Sequence, residues 1–181
     1  MSEPETAPTF ELQPTLTGRR IQLRPLVPDD FDALLRAASD PLIWEQHPES
    51  DRHEPAVFQR YFDGAIASGG AFAVIERSTG RIIGSSRYCH LVPGREVEIG
   101  WTFLEREFWG GACNAEMKSL MLDHAFRFVP QVVFVVGEHN RRSRRALEKI
   151  GARLLRREQR PARDGGMEGI VVFGLARPTR V

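Results

Sequence analysis

EFWGGACNAEMKSLMLDHAFRF, residues Glu107–Phe128, joins two adjacent glycines to a long amphipathic run. Gly110 and Gly111 stand directly ahead of Met117, Leu120, Met121, His124, Ala125 and Phe128, which recur at helical spacing. Glycine weakens a helix interior, so a pair at its threshold marks a place where something approaches the backbone. An anion resting on exposed N–H groups at the helix start is one such visitor. A tight strand-to-helix turn with no ligand is the other reading. The pattern is not a P-loop, because no Gly-Lys-Ser/Thr follows. Nor is it a dinucleotide fingerprint, since Ala112 follows the pair and no third glycine comes after it.

Working outward, REVEIGWTFL alternates, with Val97, Ile99, Trp101 and Phe103 on one face and Glu96, Glu98, Gly100 and Thr102 on the other. QVVFVV is apolar without alternation and suits a central strand buried on both faces. NRRSRRALEKIG predicts a short helix capped by Asn140 and stopped at Gly151, with Ser143, Ala146, Leu147 and Ile150 on one stripe. Upstream lie a strand in RRIQLRPL, helices in PDDFDALLRAAS and EPAVFQRYFDGAIAS, and two strands in AFAVIERSTGRIIGSSRYCHL. ARLLRREQR and MEGIVVFGLAR close the chain as two strands around RDGG. The order β-α-α-β-β-β-α-β-α-β-β is a mixed α/β (α+β) layout with no internal linker. It predicts one domain over 17–181 behind a flexible tail, 1–16.

Composition narrows the function classes. Of the 181 residues, 41% are hydrophobic and 27% charged, which describes a soluble globular chain rather than a disordered one. A formal charge of +1 gives no bias toward nucleic acid. The opening MSEPETAPTFELQPTLTG is acidic and proline-rich, so neither a signal peptide nor a membrane anchor is expected. No apolar run approaches a bilayer span of about 20 residues. Cys89 and Cys113 form no metal spacing and read as two buried thiols in a reducing cytoplasm, with no metal site expected. His124, on an apolar stripe, reads as a core histidine.

With these residues in view, the chain resembles the GNAT superfamily of acyl-CoA-dependent N-acyltransferases, most closely its RimJ/RimL-type branch. The markers are TLTGRRIQLRPL, EIGWTF, the FWGGA loop, and N-x-x-S ahead of EKIGA, in that order from about Leu16 to Leu175. The family's phosphate motif, Q/R-x-x-G-x-G/A, is matched from Gly110 to Ala112, while Glu107 departs from it at the first position. The resemblance implies a mostly antiparallel sheet of six to seven strands, flanked by about four helices and splayed between its fourth and fifth strands. It also implies acetyl-CoA as co-substrate, bound by the loop Trp109, Gly110, Gly111, Ala112, Cys113 and Asn114 and by the strand backbone of Trp101, Thr102, Phe103 and Leu104. Asn140 would touch the pantetheine arm. The arginines 141, 142, 144 and 145 could meet the phosphates, Arg145 first among them, with a solvated helix face as the plain alternative for most.

Acyl transfer to an amine needs a neutral nucleophile, and an α-amine with a pKa near 8 is only about 10% neutral at pH 7. A general base therefore helps. The family places a glutamate on the fourth strand for this. Glu98 stands at that place, with Glu96 its competitor two residues earlier and a solvated strand carboxylate the plain alternative. Ser143 would protonate the leaving thiolate, or is an ordinary polar residue in a first helical turn. Two other classes remain open: an acyl-CoA sensor without chemistry, and a nucleotide-binding oxidoreductase, which the missing glycine disfavours. The acceptor, a protein N-terminus or a small amine, is expected near Trp44, His47, Glu49, Asp51, His53, Arg163 and Asp164, a set whose aromatic and acidic members would suit a cation. A homodimer is plausible from relatives.

Overall fold

Ile21 and Leu23 alternate inward from a short strand and are fully buried, and they seed one side of an eight-stranded sheet. The structure is a computed structural model and describes residues 9–179. Its strands are β1 (Leu16–Thr17), β2 (Ile21–Pro25), β3 (Ala71–Glu76), β4 (Ile82–Val92), β5 (Glu96–Leu104), β6 (Gln131–Gly137), β7 (Arg153–Pro161) and β8 (Met167–Ala176). The helices are α1 (Phe31–Ala38), α2 (Pro55–Ala67), α3 (Ala112–Ala125) and α4 (Arg141–Lys149). Sheet order is β1-β2-β3-β4-β5-β6-β8-β7, antiparallel throughout except for the parallel pair β5–β6, which α3 connects. The eighth strand is the two-residue β1, too short to carry an alternation. Its presence makes the splay expected between strands four and five fall between β5 and β6.

Helices cover both faces of the sheet. Met117 and Met121 of α3 and Leu147 of α4 pack with Phe72, Tyr88, Ile99, Phe134 and Phe173 on one side. Leu34 of α1 and Phe58, Tyr61 and Phe62 of α2 pack with Ala71, Ala73 and Phe103 on the other. Glu116 anchors α3 by accepting from the N–H groups of Arg19, Arg20 and Ile21 at 2.7–2.9 Å.

Three readings from sequence need correction. Residues 9–16 are not free: Phe10 packs against Tyr88, His124 and Phe128, and Gln13 donates to the Ala71 carbonyl at 2.7 Å. The apolar residues of this segment outweigh its proline-rich composition. Residues 1–8 lie outside the described part. The continuous face from Val97 to Phe103 is also broken. Register with β4 moves from Arg87↔Gly100 to Ser85↔Phe103, so β5 carries one extra residue, and Trp101 sits there at φ +55°. A bulge of this kind flips the alternation. Val97 and Ile99 face the α3 side, Phe103 crosses to the α1–α2 side, and Leu104 takes the inward place. Trp101 is 43% exposed. Finally, α3 ends at Ala125, so Phe128 follows in a turn.

Candidate active site

β5 and β6 pair only from Glu96↔Gln131 to Glu98↔Val133 and then diverge. Beyond that point β6 continues with β8 while β5 bends away at the bulge, and a cleft of about 690 Å³ opens between them. Its walls include Trp101–Leu104 from β5, Phe134–Gly137 from β6, the start of α3 and the start of α4.

The α3 end is built from backbone. Gly110 has φ +64°, a conformation that costs an L side chain about 1–2 kcal/mol, and space around it is open to 4 Å. Gly111 is the N-cap and, among the described residues, no side chain caps the helix, which leaves its first N–H groups without a side-chain partner there. That is the arrangement an anion requires. Trp109 ties the loop back to β5 by donating from Nε1 to the Leu104 carbonyl at 2.9 Å. The Arg142 guanidinium lies 3.8 Å from the Trp109 ring centre and donates to the Ile43 carbonyl, joining loop and α4 across the cleft. Asn140 Oδ1 accepts from the Ser143 N–H at 3.0 Å, which caps α4 and aligns its first turn along the wall. Lys118, half-buried over Phe134, also faces the cleft, and burial pushes its ammonium down to about 8.

The opposite end is built from side chains. Glu98 is 7% exposed, and its Oε2 lies 2.7 Å from His90 Nδ1. A side chain at Gly100 would begin 2.8 Å from Glu98 Oε1, so the missing Cβ there leaves room for the carboxylate. Gly100 is on the cleft wall, which sets that oxygen at the cleft's edge. Glu96 is further off, near the strand start, 3.9 Å from Arg95. Tyr61 donates to the Trp101 carbonyl at 2.7 Å and holds the bulge from α2. Arg52 and Arg87 stack on the same Tyr61 and Trp101 rings.

A family model for the acetyltransferase (GNAT) domain matches residues 20–153. The chain belongs to the GNAT acetyltransferase family. Among solved structures, a GCN5-related N-acetyltransferase from Brucella melitensis superposes with TM-score 0.80 at 21% identity, covering 94% of this chain and 80% of that one. A candidate acetyltransferase from T. thermophilus gives 0.73 at 29% identity, covering 90% and 88%. Mycobacterium smegmatis RimJ in complex with CoA-disulfide gives 0.70 at 20%, covering 90% and 87%. No curated protein matches the chain. This GNAT chain is accordingly an N-acetyltransferase with the family's mixed sheet and four helices.

In this GNAT enzyme the cleft gathers Trp101, Thr102, Phe103, Leu104, Trp109, Gly110, Gly111, Asn114, Asn140, Ser143 and Arg145 from the expected set. Ala112 and Cys113 lie in the first turn of α3 but not on the wall, and Glu98 reaches the edge only past Gly100. Of the expected acceptor residues, Trp44 and His47 line the cleft; Glu49 is held by Arg52 and Asp51 by Arg163. Seven lysine and arginine side chains line the cleft, and among the described residues no Asp or Glu does, so the wall is cationic rather than acidic. His124 is buried and its Nε2 lies 2.8 Å from the Glu11 carbonyl, a core role. Cys89 comes within 4.8 Å of His90 and Glu98, the one possible ligand cluster among the described residues. Burial pushes its thiol up to about 12. Arg52, Arg87, His90 and Lys118 were not foreseen; only Arg87, a charge inside an otherwise strand-like run, left a local trace.

Proposed function

We propose that the protein is an acetyl-CoA-dependent transferase that acetylates a primary amine by direct attack while both substrates are bound. The observation that carries this reading is convergence. The uncapped start of α3, the unpaired edge of β5 and the first turn of α4 meet one cleft, and the Glu98 carboxylate lies at its edge behind Gly100. Trp109 to Asn114 fit a diphosphate because the site offers N–H groups without a competing side chain, and Lys118 and Arg145 add positive charge. Acetyl-CoA supplies the thioester. The residues of this chain orient it, shed water and move protons.

Glu98 accepts a proton from the amine, whose nitrogen then forms the C–N bond as the C–S bond breaks. The β5 edge past the bulge supplies N–H groups for the charge that develops on the carbonyl oxygen. Ser143, on the α4 wall, returns a proton to the thiolate. His90, 77% exposed on its side chain, links Glu98 to solvent and gives the collected proton an exit. Its φ of +49° is unusual for a non-glycine residue and is held by a second register shift between Cys89 and Val92. The RimJ/RimL-type branch fits the order of motifs and leads to protein N-termini as one acceptor class.

Release of free thiol from acetyl-CoA across a panel of amines, amino acids and peptides tests this directly. Turnover on one class supports it. Calorimetric coenzyme binding with no turnover on any class favours a sensor instead.

A further inference from the structure

Arg87 is the group that the fold leaves unanswered. It sits in β4 across from Gly100, is 6% exposed, and its Nε and Nη2 are buried with no hydrogen-bond partner. Among the described residues no other side-chain nitrogen or oxygen is in that state. Buried polar groups in native proteins nearly always have partners, and a buried charge without one is destabilising. Glu98, on the same sheet face, is engaged by His90 rather than by Arg87. Arg52 adds a second buried cation at 2% exposure, on the cleft wall. Its guanidinium lies 5.0 Å from the Tyr61 ring and 5.4 Å from Trp101; that of Arg87 lies 5.8 Å and 4.7 Å from the same rings. Two cations therefore share one aromatic pair, and Glu49 answers only Arg52.

We propose that the acceptor carries a carboxylate beside its amine, as a free α-amino acid does, and that this carboxylate docks on Arg87 with Arg52 behind it. The proposal rests on the transferase reading of the cleft. Glu98 and Arg87 are diagonal neighbours across the β4–β5 pair, about 7–8 Å apart at the backbone. That span lets one small molecule offer its ammonium to Glu98 and its carboxylate to Arg87. Trp101 stands over Arg87 and is itself half-exposed, so the incoming carboxylate displaces its indole. A polyamine would instead meet two guanidiniums, and a peptide N-terminus would offer an amide carbonyl where the site holds charge.

The test compares a panel of α-amino acids with their amides, their decarboxylated amines and peptide N-termini, in the native protein and in Arg87→Met and Arg87→Lys. The best amino acid should exceed its own amide at least 30-fold in kcat/KM, on the order expected for a charge-assisted hydrogen bond. Arg87→Met should collapse that ratio to near 1, and Arg87→Lys should restore part of it. Arg87→Met should also melt no lower than the native protein, because it removes an unpaired buried charge. Turnover on amides or peptides with no carboxylate preference overturns the proposal and leaves the transferase reading standing. If no acceptor turns over, that reading fails. Calorimetry with N-acetylated amino acids and their amides then decides separately, and binding that ignores Arg87 or the carboxylate overturns the proposal.

Discussion

The two ends of the cleft are made of different materials. The α3 end is backbone: Gly110, Gly111 and the free N–H groups of a 14-residue helix. The Glu98 end is side chains: Arg52 and Trp101 stand on the wall, and Tyr61, Arg87 and Glu98 are packed behind them. A backbone site can bind any molecule that carries the same phosphates, and it changes little when the surrounding side chains do. A side-chain site discriminates. On the proposed function, one end is a general handle for the coenzyme and the other a selective pocket for the acceptor, and substitutions at the two ends should separate.

Glu98→Gln should give the largest effect, lowering kcat/KM for the acceptor by about 10²–10⁴ while coenzyme affinity by calorimetry stays within about threefold. A comparable loss of coenzyme binding would merge the two ends and break the comparison. Gly110→Val should do the converse: a β-branched residue resists φ +64°, and the coenzyme KM should rise about tenfold with the acceptor KM little changed.

Lys118 adds a pH signature to the coenzyme end alone. Its ammonium loses its proton near 8, well below the ordinary lysine value, because it is desolvated. If the phosphates sit where proposed, positive charge facing them fades above that pH, so the coenzyme KM should rise a few-fold between pH 7.5 and 9.5, and Lys118→Met should flatten the rise. Between about 8 and the ordinary value near 10.4 the unfolded chain holds a proton that the native one has shed. Stability should therefore climb with pH across that window in the native protein, and the climb should weaken in Lys118→Met. The smallest effect is expected from Asn140→Ala, which removes a helix cap at a cost of about 1 kcal/mol, read as a modest fall in Tm.

This contrast also explains what could be read from sequence. Gly110, Gly111 and Asn140 act through the backbone of their own neighbours, so local order and spacing reveal them. The alternation of Val97 and Ile99 likewise marked β5 as a strand, but not that the face of Glu98 and Gly100 is buried as well. Trp101 defeated the same logic, because an inserted residue leaves no period of its own and shows only once β4 sets the register. Arg87 and Arg52 lie 35 positions apart in the sequence, and their meeting depends on Tyr61 and Trp101 closing around both. The acidic residues Glu49 and Asp51 pointed to a cationic acceptor only until Arg52 and Arg163 proved to neutralise them. Phe10 misled in a simpler way, being one apolar ring inside a tail-like composition.

A crystal structure with acetyl-CoA bound bears most directly on the account. Diphosphate oxygens are expected about 2.9 Å from the N–H groups at the start of α3, with the Glu98 carboxylate turned toward the thioester across Gly100. A diphosphate seated elsewhere, or a Glu98 side chain swung out with His90 into bulk water, would contradict it.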